Sequence, residues 1–94
     1  MLFRQALGCV LRGVRNEQSR SLRDVARMAG VSVGYLSEVE RGHKEASSEL
    51  LDAIARALSL DVAAAITSAA AIMSTSAVRQ LPRPAADVAT TTAA

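Results

Sequence analysis

The chain has 94 residues, of which 50% are apolar but only 2% aromatic, and its formal charge is +2. That length makes one small domain, and a core of Leu, Val, Ile, Ala and Met suits packed helices and does not suit a β-sandwich. The net charge is too small to argue for a nucleic-acid partner. Its distribution says more: residues 1–44 carry eight Lys/Arg against four Asp/Glu, while residues 45–60 carry one Arg against three acids.

In chain order, the pattern predicts five helices and no strand. Leu7, Val10, Leu11 and Val14 recur at spacings of three and four, predicting a first helix from about Phe3 to Glu17. Cys9, the only cysteine, lies in the apolar run LGCVL and is expected to be a core thiol; a single cysteine allows no intrachain disulfide. Leu22, Val25, Ala26 and Ala29 share a face of the second helix. Ser21 is its expected N-cap, Asp24 stands at the capping-box position, and Gly30 is placed for the left-handed residue that ends it. Ser32 caps a third helix in which Leu36 and Val39 face inward. A fourth opens at Ser47 or Ser48, carries Leu50, Leu51, Ile54, Ala55 and Leu58, and ends near Ser59-Leu60. Asp61 caps a fifth, from Val62 to about Ser74, with Val62, Ile66, Ala69 and Met73 on one face. Residues 75–94 contain Pro82 and Pro84 among many Ala and Thr, and are expected to be a disordered tail after a domain spanning residues 1–74.

Two short capped helices joined by a tight turn, the second with a small, polar outer face, make a helix-turn-helix, in which the second helix enters the DNA major groove. That outer face presents Ser32, Val33, Gly34, Ser37 and Glu38 to base edges. Glu38 can accept from a cytosine amino group and Val33 can pack on a thymine methyl. Arg41, His43 and Lys44 follow within reach of phosphates, and Arg20, Ser21 and Arg23 flank the start of the second helix, which crosses the backbone. Tyr35 has two readings: stacking near the sugar-phosphate backbone, or packing against the fourth helix. His43 is the only histidine, so a metal site has no partners. There is no nucleophile-base-orienter set and no Gly-rich phosphate loop, so neither an enzyme nor a cofactor is expected.

The run LRDVARMAGVSVGYLSEVERG resembles the lambda-repressor/Cro (XRE) class of helix-turn-helix, through Ala26, Gly30, Val31 and Ser32 at the turn and Glu40, Arg41 and Gly42 at the close. The similarity extends from about Phe3 to Val62. More narrowly, VSVGYLSEVERGHKEASSELLDAIARAL resembles the Clp-gene regulator group of actinobacteria. The resemblance implies an all-α, five-helix lambda-repressor-like domain and base contacts from Ser32, Val33, Gly34 and Glu38. It also implies backbone contacts around Arg41 and an ion pair between Arg15 and Glu40. Two positions depart from the common pattern: Leu22 stands where many members have a phosphate-touching Gln, and Ala46 where Pro is frequent. The subgroup implies activation of genes for Clp proteases and related stress functions.

One domain of this size buries too little surface for tight specific binding, so a homodimer on a palindromic operator is expected, with Val62, Ile66, Ala69 and Met73 as its interface. The alternative is an antitoxin-like or protein-interaction module, for which a tail of prolines and Thr-Ala repeats is a poor partner-binding segment. The N-terminus lacks a secretory cleavage pattern, and Val62 to Met73 is too short and too weakly apolar to span a bilayer, so a cytoplasmic protein with no membrane contact is expected. The closing Ala93-Ala94 resembles tags that Clp unfoldases engage, which makes Clp protease a candidate partner.

Overall fold

The computed structural model describes the backbone of residues 1–80 and the side-chain surroundings of residues 1–75, in five helices: α1 (Phe3–Glu17), α2 (Leu22–Ala29), α3 (Val33–Glu40), α4 (Ser48–Ala57) and α5 (Val62–Gln80). No strand occurs among the described residues. The starts of α2 to α5 are fixed as the sequence predicts. The hydroxyls of Ser21, Ser32 and Ser47 accept from the backbone N–H three residues on, at 3.0, 3.0 and 3.2 Å. The Asp61 carboxylate accepts from the Ala64 N–H at 3.1 Å. Each bond satisfies a donor that the first turn would otherwise leave open.

The first four helices end alike. A left-handed residue follows each one: Ser19 (φ 55°), Gly30 (φ 75°), Gly42 (φ 76°) and Ser59 (φ 53°). The next N–H then reaches back to a carbonyl of the last turn, in Arg20 to Arg15, Val31 to Ala26, His43 to Glu38 and Leu60 to Ala55, at 2.8–3.2 Å. These sharp stops set the angles between helices.

Leu11, Val25, Leu36, Ile54 and Leu58 are the largest fully buried side chains, so every helix of the first four contributes to one core. α5 lies along α1, α2 packs on α4, and α3 rests on both α1 and α2. The α1–α3 crossing is unusually close. A Cβ on Gly8 would lie 2.5 Å from the Glu40 carbonyl oxygen, so only glycine lets the two backbones meet there.

Four sequence expectations need correction. Cys9 is exposed, because five consecutive apolar residues cannot share one side of a helix: Ala6, Leu7 and Leu11 face the core, and Cys9 sits about 200° round from Leu7. Asp24 does not return a bond to the Ser21 N–H; its carboxylate pairs with Arg20 at 2.9 Å and Arg27 at 3.1 Å. α5 does not stop near Ser74 but runs to Gln80. Its supposed dimer face is divided. Ala65 and Ala69 are fully buried, and Val62, Ile72 and Met73 pack against the same core, because the apolar stripe of α1 must be covered and small alanines allow α5 to lie close. Ile66 alone of the four keeps a large outward apolar surface, at 41% exposure. Residues 81–94, including Pro82, Pro84, Ala93 and Ala94, lie outside the described residues.

Candidate nucleic-acid interface

The turn that closes α2 and the Ser32 cap hold α3 so that its first turn projects from the surface: Ser32, Val33 and Gly34 are exposed. Ser37 and Glu38, one turn further on, are half-buried. Gly34 has ordinary helical geometry, and a Cβ there would meet nothing within 4 Å. The fold does not require a glycine at this position; what its absence of side chain permits is close approach of something outside the chain.

Ser21 and Arg23 at the start of α2, and Arg41, His43 and Lys44 just beyond the end of α3, are all exposed. Glu38 is already engaged. One carboxylate oxygen faces Arg41 at 3.7 Å and the other faces Nδ1 of His43 at 3.1 Å. A carboxylate has about four acceptor sites, so Glu38 keeps capacity for a further donor beside these two neighbours.

Two predicted backbone contacts have other roles. Arg20 is turned inward: Nε donates to Asp24 at 2.9 Å and an Nη donates to the Ala57 carbonyl at the end of α4. A cation there answers the open carbonyls and negative dipole of a helix C-terminus. Arg20 thus fastens α2 to α4 and is corrected from the interface to the frame. Its hydrogen bond is the chief cause that holds the Asp24 carboxyl below its usual value. Tyr35 is half-buried against the core, and its hydroxyl donates to the Glu45 carbonyl at 3.4 Å in the segment before α4. The contacts shown are with the core and with the segment before α4.

At the other end of α3, Arg15 Nε and Nη2 donate to both oxygens of Glu40, at 2.8 and 3.0 Å, and Nη1 donates to the Arg20 carbonyl at 2.9 Å. The hydrogen bond with Glu40 raises the Arg15 pKa against the opposing effect of burial. Arg4 donates to the Gly42 carbonyl at 2.9 Å and ties the turn that closes α3 to α1. Arg12, which sequence reasoning left out, stands one turn before Arg15 and opens toward Ser37 and Arg41. The three-residue spacing from Arg15 was the available signal, since it puts both arginines on one face of α1. Among the described residues no group of His, Cys, Asp and Glu is arranged to hold a metal ion, and no single helix is long and apolar enough to cross a membrane.

A family model for the helix-turn-helix matches residues 11–64, more than half of the chain. The chain belongs to the XRE-type helix-turn-helix family. Among its relatives in that family is the transcriptional regulator ClgR of Mycobacterium tuberculosis, 54% identical over 68 residues; the match covers 72% of this chain and 61% of that protein. The crystal structure of the clp gene regulator ClgR from Corynebacterium glutamicum superimposes with a TM-score of 0.81 at 45% identity, covering 85% of each chain. The restriction-modification controller protein from Aeromonas hydrophila has the same fold at a TM-score of 0.64 and 26% identity, over 66% of this chain and 94% of that one.

Proposed function

We propose that this protein is a sequence-specific, double-stranded-DNA-binding transcription regulator that works in the cytoplasm as a homodimer on a palindromic operator and activates genes for Clp proteases and related stress functions. The observation that carries the reading is the α3 tip: Ser32, Val33 and an unhindered Gly34 project from a capped helix, with exposed Ser21 and Arg23 at the start of α2 and exposed Arg41, His43 and Lys44 just beyond α3. In this reading Ser32, Val33, Gly34, Ser37 and Glu38 meet base edges and the flanking groups meet phosphates. The Clp-gene target is supported by the likeness to the clp gene regulator of C. glutamicum, 45% identical where the two align, over 85% of each chain. Dimerisation is supported by the small size of the reading surface and by the outward Ile66 on α5.

Selection of bound sequences from random duplex DNA tests the reading. The expected outcome is a palindromic consensus with half-sites about one helical turn apart, present upstream of Clp protease genes. A chain that enriches no duplex leaves the protein-interaction reading in its place.

A further inference from the structure

Where α1, the start of α2 and the end of α3 meet, a shallow pocket of about 200 Å³ opens, lined by Arg12, Arg15, Leu22, Ser37, Glu40 and Arg41. Its floor is electrically closed, because both Glu40 oxygens are taken by Arg15. Its rim is not. Arg12 is exposed and has no hydrogen-bond or ion-pair partner among the described residues. Arg41 is exposed too and reaches Glu38 only across 3.7 Å. The Ser37 hydroxyl is likewise without a partner among the described residues, and Leu22 adds an apolar wall with no acceptor. Two guanidinium groups and a hydroxyl thus converge on a concavity whose one carboxylate is already neutralised.

That arrangement suits a tetrahedral oxyanion: guanidinium forks match phosphate oxygens, and a hydroxyl supplies a further donor. The pocket shares Ser37 and Arg41 with the proposed DNA surface, so in that reading it opens beside the duplex. No buried polar side chain lacks a partner here, so nothing deep in the pocket is arranged to grip a free anion. A phosphate carried on a strand already held elsewhere gains from these rim contacts by proximity. We infer that the pocket seats one DNA backbone phosphate between Arg12, Ser37 and Arg41, making Arg12 the contribution of α1 to the interface. The inference rests on the DNA-binding reading above, adds Arg12 to it and moves Ser37 from a base edge to a phosphate.

The test compares the full chain with Arg12→Ala and Arg12→Lys, measuring affinity for the selected duplex and for random-sequence duplex across a salt series. Arg12→Ala is expected to weaken both duplexes alike and to reduce the slope of log affinity against log salt by about 0.9 per subunit. The consensus should stay unchanged, and Arg12→Lys should restore most of the slope. Thermal melts should match, since Arg12 makes no hydrogen bond or ion pair among the described residues. Neutral methylphosphonate scanned along one strand should expose a position that costs the unaltered protein affinity but costs Arg12→Ala nothing. An unaltered protein that binds duplex with the same salt slope as Arg12→Ala overturns the pocket assignment and leaves the DNA reading standing. A protein that binds no duplex overturns the DNA reading, and the assignment falls with it. Inorganic phosphate, titrated without DNA, distinguishes the other source: saturable shifts at Arg12 and Ser37, with no Arg12 effect on duplex, overturn the backbone assignment for a free anion.

Discussion

Arg15 and Glu40, twenty-five residues apart, join α1 to the last residue of α3 through two hydrogen bonds of 2.8 and 3.0 Å, with side chains only 12% and 5% exposed. Directly beside them Gly8 lets the two backbones touch. The pair therefore fixes the angle at which the α3 tip leaves the surface. Glu40→Leu leaves the guanidinium buried without its carboxylate and is expected to cost about 3 kcal/mol, whereas pairing it with Arg15→Met should recover much of the loss. Urea unfolding of the two single variants and the double variant checks this. Equal stability of Glu40→Leu and the unaltered chain would show that the pair carries no structural weight.

The glycines separate fold from function. At Gly34 a methyl group meets nothing within 4 Å, so Gly34→Ala should stabilise α3 by about 0.5–1 kcal/mol. The same methyl stands on the proposed DNA face and should weaken operator binding. At Gly8 a Cβ collides with backbone carbonyls at 2.5 and 2.6 Å, and Gly8→Ala should cost about 1–3 kcal/mol through enforced separation of α1 and α3. A Gly34→Ala protein that melts higher and binds DNA undiminished would remove this residue from the interface.

Local chemistry made the helix boundaries legible in the sequence. Ser21, Ser32, Ser47 and Asp61 cap the helices they precede, and Gly30 takes the left-handed conformation, because these effects act within one turn of chain. The left-handed Ser19 and Ser59 carried no comparable signal, since serine does not prefer that conformation and tertiary packing imposes it. What depended on contacts between distant segments was harder. The inward turn of Arg20 depends on where α4 ends, and the burial of Ala69 depends on α5 lying along α1. The Arg15–Glu40 pair was accessible only through family resemblance, as nothing in spacing links positions on two different helices. Of the proposed interface, the sequence could supply the α3 residues and the cations near them, but could not reveal that Glu38 is bracketed by Arg41 and His43.

That bracketing separates reading from anchoring. Glu38→Ala is expected to relax sequence preference, with a loss of about 1–3 kcal/mol at the preferred site, as a base acceptor disappears. Arg41→Ala should weaken all duplexes similarly and shallow the salt dependence by about one charge per subunit. Binding measured on matched and single-substituted operators distinguishes the two. A uniform loss from both variants would make Glu38 a positioning group for Arg41 and His43 instead of a base reader.

The depressed pKa of Asp24 makes acid stability a readout of the α2–α4 fastening. The carboxyl is held below 3.8, first by its hydrogen bond from Arg20. The unfolded chain therefore takes up this proton at a higher pH than the folded one, and stability falls as pH decreases through that interval. The contribution is present above about pH 4 and lost below the folded-state value. Asp24→Asn should lower the urea midpoint at neutral pH and flatten the acid limb, the two proteins converging at the lowest pH. Parallel curves across the whole range would show that Asp24 draws no stability from Arg20.

The α5 surface gives the test of assembly. Ile66 is 41% exposed while Ala69, three residues on, is fully buried by the chain's own core. If a second copy docks on this side of α5, Ile66 is the apolar group it covers, and Ile66→Asp places a charge in the interface without disturbing the domain. Sedimentation should then give monomers, with helix content and melting temperature at low protein concentration unchanged. Operator binding should become weaker and lose its cooperativity between half-sites. Ala69→Asp provides the contrast: it buries an unpaired charge inside the monomer and should unfold it outright, whatever the oligomeric state. An Ile66→Asp protein that sediments as a dimer would move the subunit contact away from this face of α5, leaving Ile66 an isolated apolar residue of the surface.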